Sequence, residues 1–256
     1  MLRAEGISKR YSPPSPWLRP LVRTATKNAV DALCDVSFTV GRGEILGLVG
    51  PNGAGKTTLI KILGTLLEPT AGRVTFDNLD LVAQAREARR RLALVLPDER
   101  GLYWRLNGRQ NLEFFGVLNG MPRAVARARA EELLGRLGLP DDKLVFGYSS
   151  GMRARLSLAR GLLGDPSLLL LDEPTRSMDS VVSAELVRLL RELAWEGRSI
   201  LLSSHRLDEI ASCCDSVLVL VDGDTRYLGP LRELDADDTG AQKALAELLE
   251  RETLRQ

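Results

Sequence analysis

Gly50 to Thr57 read GPNGAGKT, in the order GxxxxGK[ST]. That spacing suits a loop whose backbone N–H groups turn inward around a chain of phosphates. Gly50, Gly53 and Gly55 free the backbone for the turn, and Pro51, Asn52 and Ala54 complete it. A helix starting at Lys56 would aim its positive end at the same anion. Lys56 adds a point charge, Thr57 offers a hydroxyl to a magnesium ion bridging the terminal phosphates, and Thr58 can reach the α-phosphate. The chemistry implied is nucleotide binding. Further along, Leu168 to Glu173 read LLLLDE, an apolar run closed by two adjacent carboxylates. Alone, such a pair reads as acidic turn residues ending a strand. Beside a phosphate loop, Asp172 reads as the second magnesium anchor and Glu173 as the base that polarises an attacking water.

Strands and helices must hold these groups in place. Glu44 to Val49 reads as a buried strand entering the glycine-rich turn, and Lys56 to Leu67 as the apolar helix leaving it. Residues 2–8 and 33–40 read as short strands, the second (LCDVSFTV) alternating like a half-buried antiparallel strand. Between them, Ser12 to Asn28 is a proline-rich basic insertion. Arg86 to Arg91 reads as a charged, solvated helix before a second buried strand, Leu92 to Leu96. From Asp98 to Asp165 the periodicity is helical, notably at Ala124 to Leu137 and Met152 to Leu163. Strands resume at Leu168 to Leu171, Ser199 to Ser203 and Val217 to Val221, alternating with helices near 180–196 and 206–213. That alternation marks a parallel sheet covered on both faces. Gly240 to Arg255 reads as an amphipathic docking or capping helix. The fold class is therefore α/β: a mainly parallel phosphate-loop core with an N-terminal antiparallel β-subdomain and an inserted helical subdomain. The expected boundaries are 1–97 with 166–230 for the core, 98–165 for the helical insertion and 231–256 for a C-terminal extension.

Composition narrows the class further. The 256 residues, 44% hydrophobic and 27% charged, suffice for one large α/β domain and exclude disorder as the dominant state. A net charge of +1 lacks the footprint of a dedicated nucleic-acid binder. Cys34, Cys213 and Cys214 form neither a CxxC pair nor a zinc set, which suits a reducing cytosol. The apolar runs fall well short of the roughly 20 residues a spanning helix needs, and MLRAEGISKRY lacks a secretory apolar stretch.

With motif order and spacing in place, the stretch from about Tyr11 to Gly229 resembles the ATP-binding subunits of ABC transporters, most closely the bacterial exporter type whose transmembrane subunit is a separate polypeptide. Tyr148 to Arg153, YSSGMR, resembles the family signature LSGGQ. Ser150 stands where the first glycine usually is and Met152 replaces the glutamine, while Ser149 and Gly151 are retained. Seen alone, SSG would be a helix N-cap. The resemblance implies instead that Ser149, Ser150 and Gly151 meet the γ-phosphate held by another protomer, so that one chain makes half a catalytic site. It further implies that His205, the lone histidine, holds the γ-phosphate and attacking water in line with Glu173; that Asp179 belongs to the D-loop crossing the dimer interface; and that Tyr11 stacks on adenine. The bland reading of Tyr11 is a strand-end core aromatic.

The clearest departure is LPDERGLY, where Asp98 occupies the position of the family's magnesium-touching, membrane-sensing glutamine. A carboxylate there can still coordinate magnesium, directly or through water, but adds charge beside Asp172 and Glu173. Gln110 begins the next helix and is too distant to substitute. In the insertion, Trp17, Leu18, Leu21 and Val22 share one helical face beside Arg19, Arg23 and Lys27, suited to a packed surface helix or to contact with lipid headgroups or a partner. The resemblance implies ATP and Mg2+ as cofactors. The expected partners are a permease on another chain and a second ATPase protomer, identical or related, with peripheral attachment at the cytoplasmic face of the membrane. A soluble ABC-type ATPase of translation or DNA maintenance is the competing reading. It lacks support from any tandem domain, coiled coil or zinc insertion, and a phosphate-loop kinase would need an acceptor lid.

Overall fold

The computed structural model describes residues 1–13, 28–97, 101–176, 178–234 and 240–254. The 14–27 segment, with its Trp17 face, and Asp98 lie outside them.

Two sheets form the frame. The smaller has the order β2-β1-β4-β5, from β1 (Leu2–Tyr11), β2 (Val30–Val40), β4 (Ala71–Phe76) and β5 (Leu79–Asp80), all antiparallel. The larger has the order β10-β9-β3-β8-β7-β6, from β3 (Ile45–Val49), β6 (Leu92–Val95), β7 (Leu168–Asp172), β8 (Ser199–Ser203), β9 (Ser216–Val221) and β10 (Asp224–Pro230). Five of these strands run parallel, and only the edge strand β10 is antiparallel. The α/β core with its antiparallel companion sheet is as the sequence implied.

The apolar strand runs make sense as two-faced strands. In β3, Ile45 and Val49 belong to one core layer and Leu46 and Leu48 to the other. In β7, Leu169 and Leu171 face the first layer and Leu168 and Leu170 the second. The second layer is closed by α1 (Lys56–Leu63) and the small sheet. The first is closed by α5 (Ser150–Leu162), α6 (Ser180–Trp195), α7 (Leu207–Cys213) and the C-terminal helix α8 (Ala241–Leu254), whose Leu245 and Leu248 are buried there. A strand covered on both sides has no polar face, hence the unbroken leucines.

Between β6 and β7 the described residues contribute helices to neither sheet: α3 (Gly108–Leu118), α4 (Arg123–Arg136) and α5. A capping box sets the start of α3, where Asn107 accepts from the Gln110 backbone and the Gln110 side chain from that of Asn107. Gln110 is thus engaged at a helix start.

Several boundaries differ from the sequence reading. The phosphate-loop helix stops at Leu63, not Leu67, because Gly64 caps it and Thr65 adopts φ 59°, leaving Leu66 in solvent. The charged stretch 86–91 contracts to one turn, α2 (Ala85–Ala88), and β1 and β2 extend beyond 2–8 and 33–40. Three strands carry no readable pattern. β4 opens on exposed Ala71, Gly72 and Arg73 and buries only Val74 and Phe76, β5 has two residues, and β10 has no buried side chain. Each forms because a neighbouring strand offers backbone partners, a non-local cause invisible to local periodicity.

Leu170, fully buried in β7 between β8 and β6, is the sharpest test of this packing. Leu170→Ala is expected to lower unfolding free energy by about 2–5 kcal/mol in urea titration.

Candidate active site

The parallel strands end on one edge, and the candidate groups collect there. β3 delivers Val49 into Gly50, whose φ of 154° places a would-be Cβ on the Leu220 carbonyl oxygen. At Gly55, φ 100°, a Cβ would strike the carbonyl of Ala32 and the side chain of Leu33. Glycine is therefore a steric requirement at both positions. The loop surrounds a cavity of about 340 Å³ lined by Asn52 to Thr58 on one side and Asp172 and Glu173 on the other.

Lys56 starts α1 and is 8% exposed. Its Nζ donates to the carbonyls of Gly50 at 2.6 Å and Pro51 at 3.0 Å. Burial pulls its ammonium below the ordinary lysine range, while the charges of Glu173 and Asp172 oppose that shift in part. A poorly hydrated cation at a helix N-terminus is suited to an anionic ligand.

Across the cavity, β7 ends in Asp172, paired in register with Ser203 of β8. Thr57 Oγ1 donates to Asp172 Oδ2 at 2.9 Å, and Ser203 Oγ donates to Oδ1 at 2.6 Å. Ser203 also accepts from the Glu173 N–H, at 3.0 Å on Oγ and 3.1 Å on its carbonyl. Glu173 sits at φ 47°, in the left-handed region that costs a non-glycine residue about 1–3 kcal/mol. This turn aims its carboxylate at the cavity and at His205, whose Nδ1 lies 3.2 Å from Glu173 Oε2. Arg176 Nε is 3.9 Å from the same oxygen. A carboxylate backed by an imidazole and an arginine, facing a phosphate-sized loop, can orient water against a bound phosphoryl group.

Tyr11 is exposed, its hydroxyl 3.5 Å from Thr58 Oγ1 and its ring 5.5 Å from Lys9 Nζ. It is not a core aromatic, and the structure brings it to the phosphate-loop helix.

Ser149 to Gly151 lie elsewhere. Ser149 caps α5, its Oγ accepting from the Met152 N–H at 3.2 Å, and Gly151 packs beside Val182 and Met178. None of Ser149, Ser150 or Gly151 is among the described residues lining the phosphate cavity. Asp179 caps α6 by accepting from the N–H groups of Val181 and Val182. The Ser149 cap is the bland alternative that the sequence offered for SSG; Asp179 makes a cap too, and Gly151 brings the two segments side by side through Val182 and Met178. The turn ahead of Ser149 is pinned by Tyr148, which donates to the Pro140 carbonyl.

Sequence reading passed over Ser203, Arg176, Pro97 and Ala32, of which the last three line the cavity. For Ser203 there was a signal: polar residues closing the apolar run SILLSS, directly before the lone histidine.

The family model described as "ABC transporter" matches residues 33–176. The chain is 40% identical to the ABC transporter ATP-binding protein NatA of Bacillus subtilis (strain 168), over 81% of this chain and 85% of that protein. It is 42% identical to the daunorubicin resistance ATP-binding protein DrrA3 of Streptomyces coeruleorubidus, over 93% and 71%. The solved dimeric structure of MJ0796, a bacterial ABC transporter cassette, superposes with a TM-score of 0.77 at 25% identity, covering 91% of this chain and 99% of that one. The chain belongs to the ABC transporter family, as one of its ATP-binding, ATP-hydrolysing subunits. No helix among the described residues is long and apolar enough to cross a membrane.

The anchor beneath Ser149 has a pH signature. Burial first, then the charges of Asp141 and Asp142, push the Tyr148 phenol up to about 12. Above pH ~10 an unfolded chain loses this proton while the folded chain keeps it, so stability falls as pH rises across that window. Tyr148→Phe is expected to flatten the fall between pH 9.5 and 11.5, read as urea midpoints, and to cost about 1 kcal/mol at pH 8. An unchanged alkaline slope would contradict the assignment.

Proposed function

We propose that this chain is the motor half of an exporter. Two copies, or this copy and a related one, close head to tail on two ATP molecules. Each ATP is held by Gly50 to Thr58 of one protomer and capped by Ser149, Ser150 and Gly151 of the other. The observation that carries this reading is the division of the site. Lys56, Thr57, Asp172 and Glu173 line one cavity, with His205 joined to Glu173 beside it, while none of Ser149, Ser150 and Gly151 is among the described residues lining it. A site so divided is completed by a second molecule, in keeping with the dimer reported for the solved cassette.

Within each half, the Gly50–Gly55 backbone and the α1 N-terminus take the phosphates, Lys56 neutralises them, and Tyr11 supplies a stacking surface for the base. The Thr57 hydroxyl and the Asp172 carboxylate are hard oxygen donors of the kind magnesium accepts alongside phosphate and water. Bound there, Mg2+ would neutralise charge on the terminal phosphates. Glu173 polarises the attacking water, and His205 steadies both Glu173 and the γ-phosphate. Asp179 sits where the two protomers cross, and Asp98 occupies the position that reports to the permease.

Export is the direction suggested by DrrA3, whose name states daunorubicin resistance. The permease is a separate membrane subunit, and the chain attaches through it at the cytoplasmic face of the membrane.

Glu173→Gln is expected to keep ATP affinity within about threefold and to lose about 10²–10⁴-fold in turnover, read by nucleotide titration beside phosphate release. Lys56→Ala is expected to lose nucleotide binding itself. Undiminished turnover in the first, or parental affinity in the second, would overturn these roles.

A further inference from the structure

Glu209 is 3% exposed, a carboxylate in the first turn of α7 pointing into the protein. Burying such a group costs several kcal/mol unless it is paired and hydrogen-bonded. Here it is saturated. Its Oε2 accepts from Thr175 Oγ1 at 2.6 Å and from Ser204 Oγ at 2.9 Å, and its Oε1 accepts from Ser183 Oγ. Arg206 Nη1 lies 3.0 Å from Oε1.

What matters is where those partners come from. Thr175 stands two residues after Glu173 and is itself buried, as is Ser183 in the first turn of the helix that Asp179 caps. Ser204 immediately precedes His205, and its Oγ also accepts from the Arg206 N–H at 3.0 Å. One side chain thus reaches the segments that carry Glu173, Asp179 and His205, three groups distributed over two crossovers of the sheet. An apolar residue of the same volume would fill the space but could not fix the three segments in mutual register, and replacing buried ion pairs by apolar groups is often neutral for stability. Three hydroxyl donors converging on one carboxylate define an orientation as well as filling a space.

We infer that Glu209 is a positioning residue, whose buried carboxylate locks the Glu173, Asp179 and His205 segments together so that the water-activating pair and the dimer-facing turn move as one unit. The inference rests on the proposed roles of those three residues. It places Glu209 outside any contact with nucleotide. Its loss should leave phosphate-loop binding intact and damage the alignment of the reacting groups, for which displacement of about 1 Å can cost 100-fold.

The test is steady-state ATP turnover by the full chain with Mg2+, separating kcat from KM, with thermal melting of each variant. Glu209→Ala is expected to lower kcat roughly 10- to 100-fold with KM for ATP within about threefold, and Glu209→Gln to fall between it and the parent. Thr175→Val is expected to cost several-fold in the parent and nothing further in Glu209→Ala, the mark of a shared network. If Glu209→Ala fails to fold, Thr175→Val and Ser183→Ala carry the test, each expected to lose kcat at constant KM. Parental kcat in the folded variants, equal losses of kcat and ATP affinity, or additive effects of Thr175→Val and Glu209→Ala would overturn the inference. Lys56→Ala and Glu173→Gln run alongside: if they too keep full turnover, the phosphate-loop reading itself falls. If they are inactive while the Glu209 variants are not, only the positioning role falls.

Discussion

The contact on which the site depends is the bridge from Thr57 through Asp172 to Ser203. It joins the phosphate-loop helix to the ends of two neighbouring strands, β7 and β8. A parallel sheet places the C-terminal ends of its strands on one edge, so the loop after β3, the carboxylates at the end of β7 and the histidine after β8 must meet there. Asp172 turns that proximity into geometry. With both its oxygens engaged, the backbone of Glu173 is held by Ser203, and Glu173 emerges in a left-handed conformation that directs its carboxylate toward His205.

This edge carries several unfavourable features of its own. Gly50 and Gly55 hold positive φ where a side chain would collide, Glu173 occupies a costly conformation, and Lys56 gives up hydration. The two leucine-rich layers on either face of the larger sheet supply what these cost. A fully buried leucine contributes about 1.5–3 kcal/mol, and β3, β7 and β8 are buried along their whole length. Strain and desolvation at the strand ends are thus held in place by burial in the strands themselves.

The parts of the fold legible in sequence were those whose cause is local. GPNGAGKT, LLLLDE and SILLSSH each couple an apolar strand to a polar terminus; the first two line one cavity, and Ser203 and His205 bond to its Asp172 and Glu173. Strands β4, β5 and β10 were not legible because edge pairing, rather than side-chain pattern, creates them. The end of α1 was misread because Leu66 and Leu67 continue the apolar pattern past Gly64, which terminates the helix through its backbone. Glu209 escaped for a related reason: in sequence it is one acid among those of a helix start, LDE, and its burial depends on hydroxyls remote along the chain.

The proposed asymmetry of the site comes from the position of the signature segment. Ser149 caps the N-terminus of α5 and is exposed, and Gly151 is packed beside α6, so this helix end lies outside the described lining of its own chain's cavity. A cavity with a lysine and two carboxylates but without that segment is, in the proposed dimer, half a site. The most direct measurement is the mass of the Glu173→Gln protein by sedimentation equilibrium, with and without ATP and Mg2+. The account requires the 28.1 kDa chain to double in mass only with nucleotide, and to stay single when Ser149→Arg is added. A parent protein that remains a monomer under all conditions, with specific activity independent of its concentration, would contradict it.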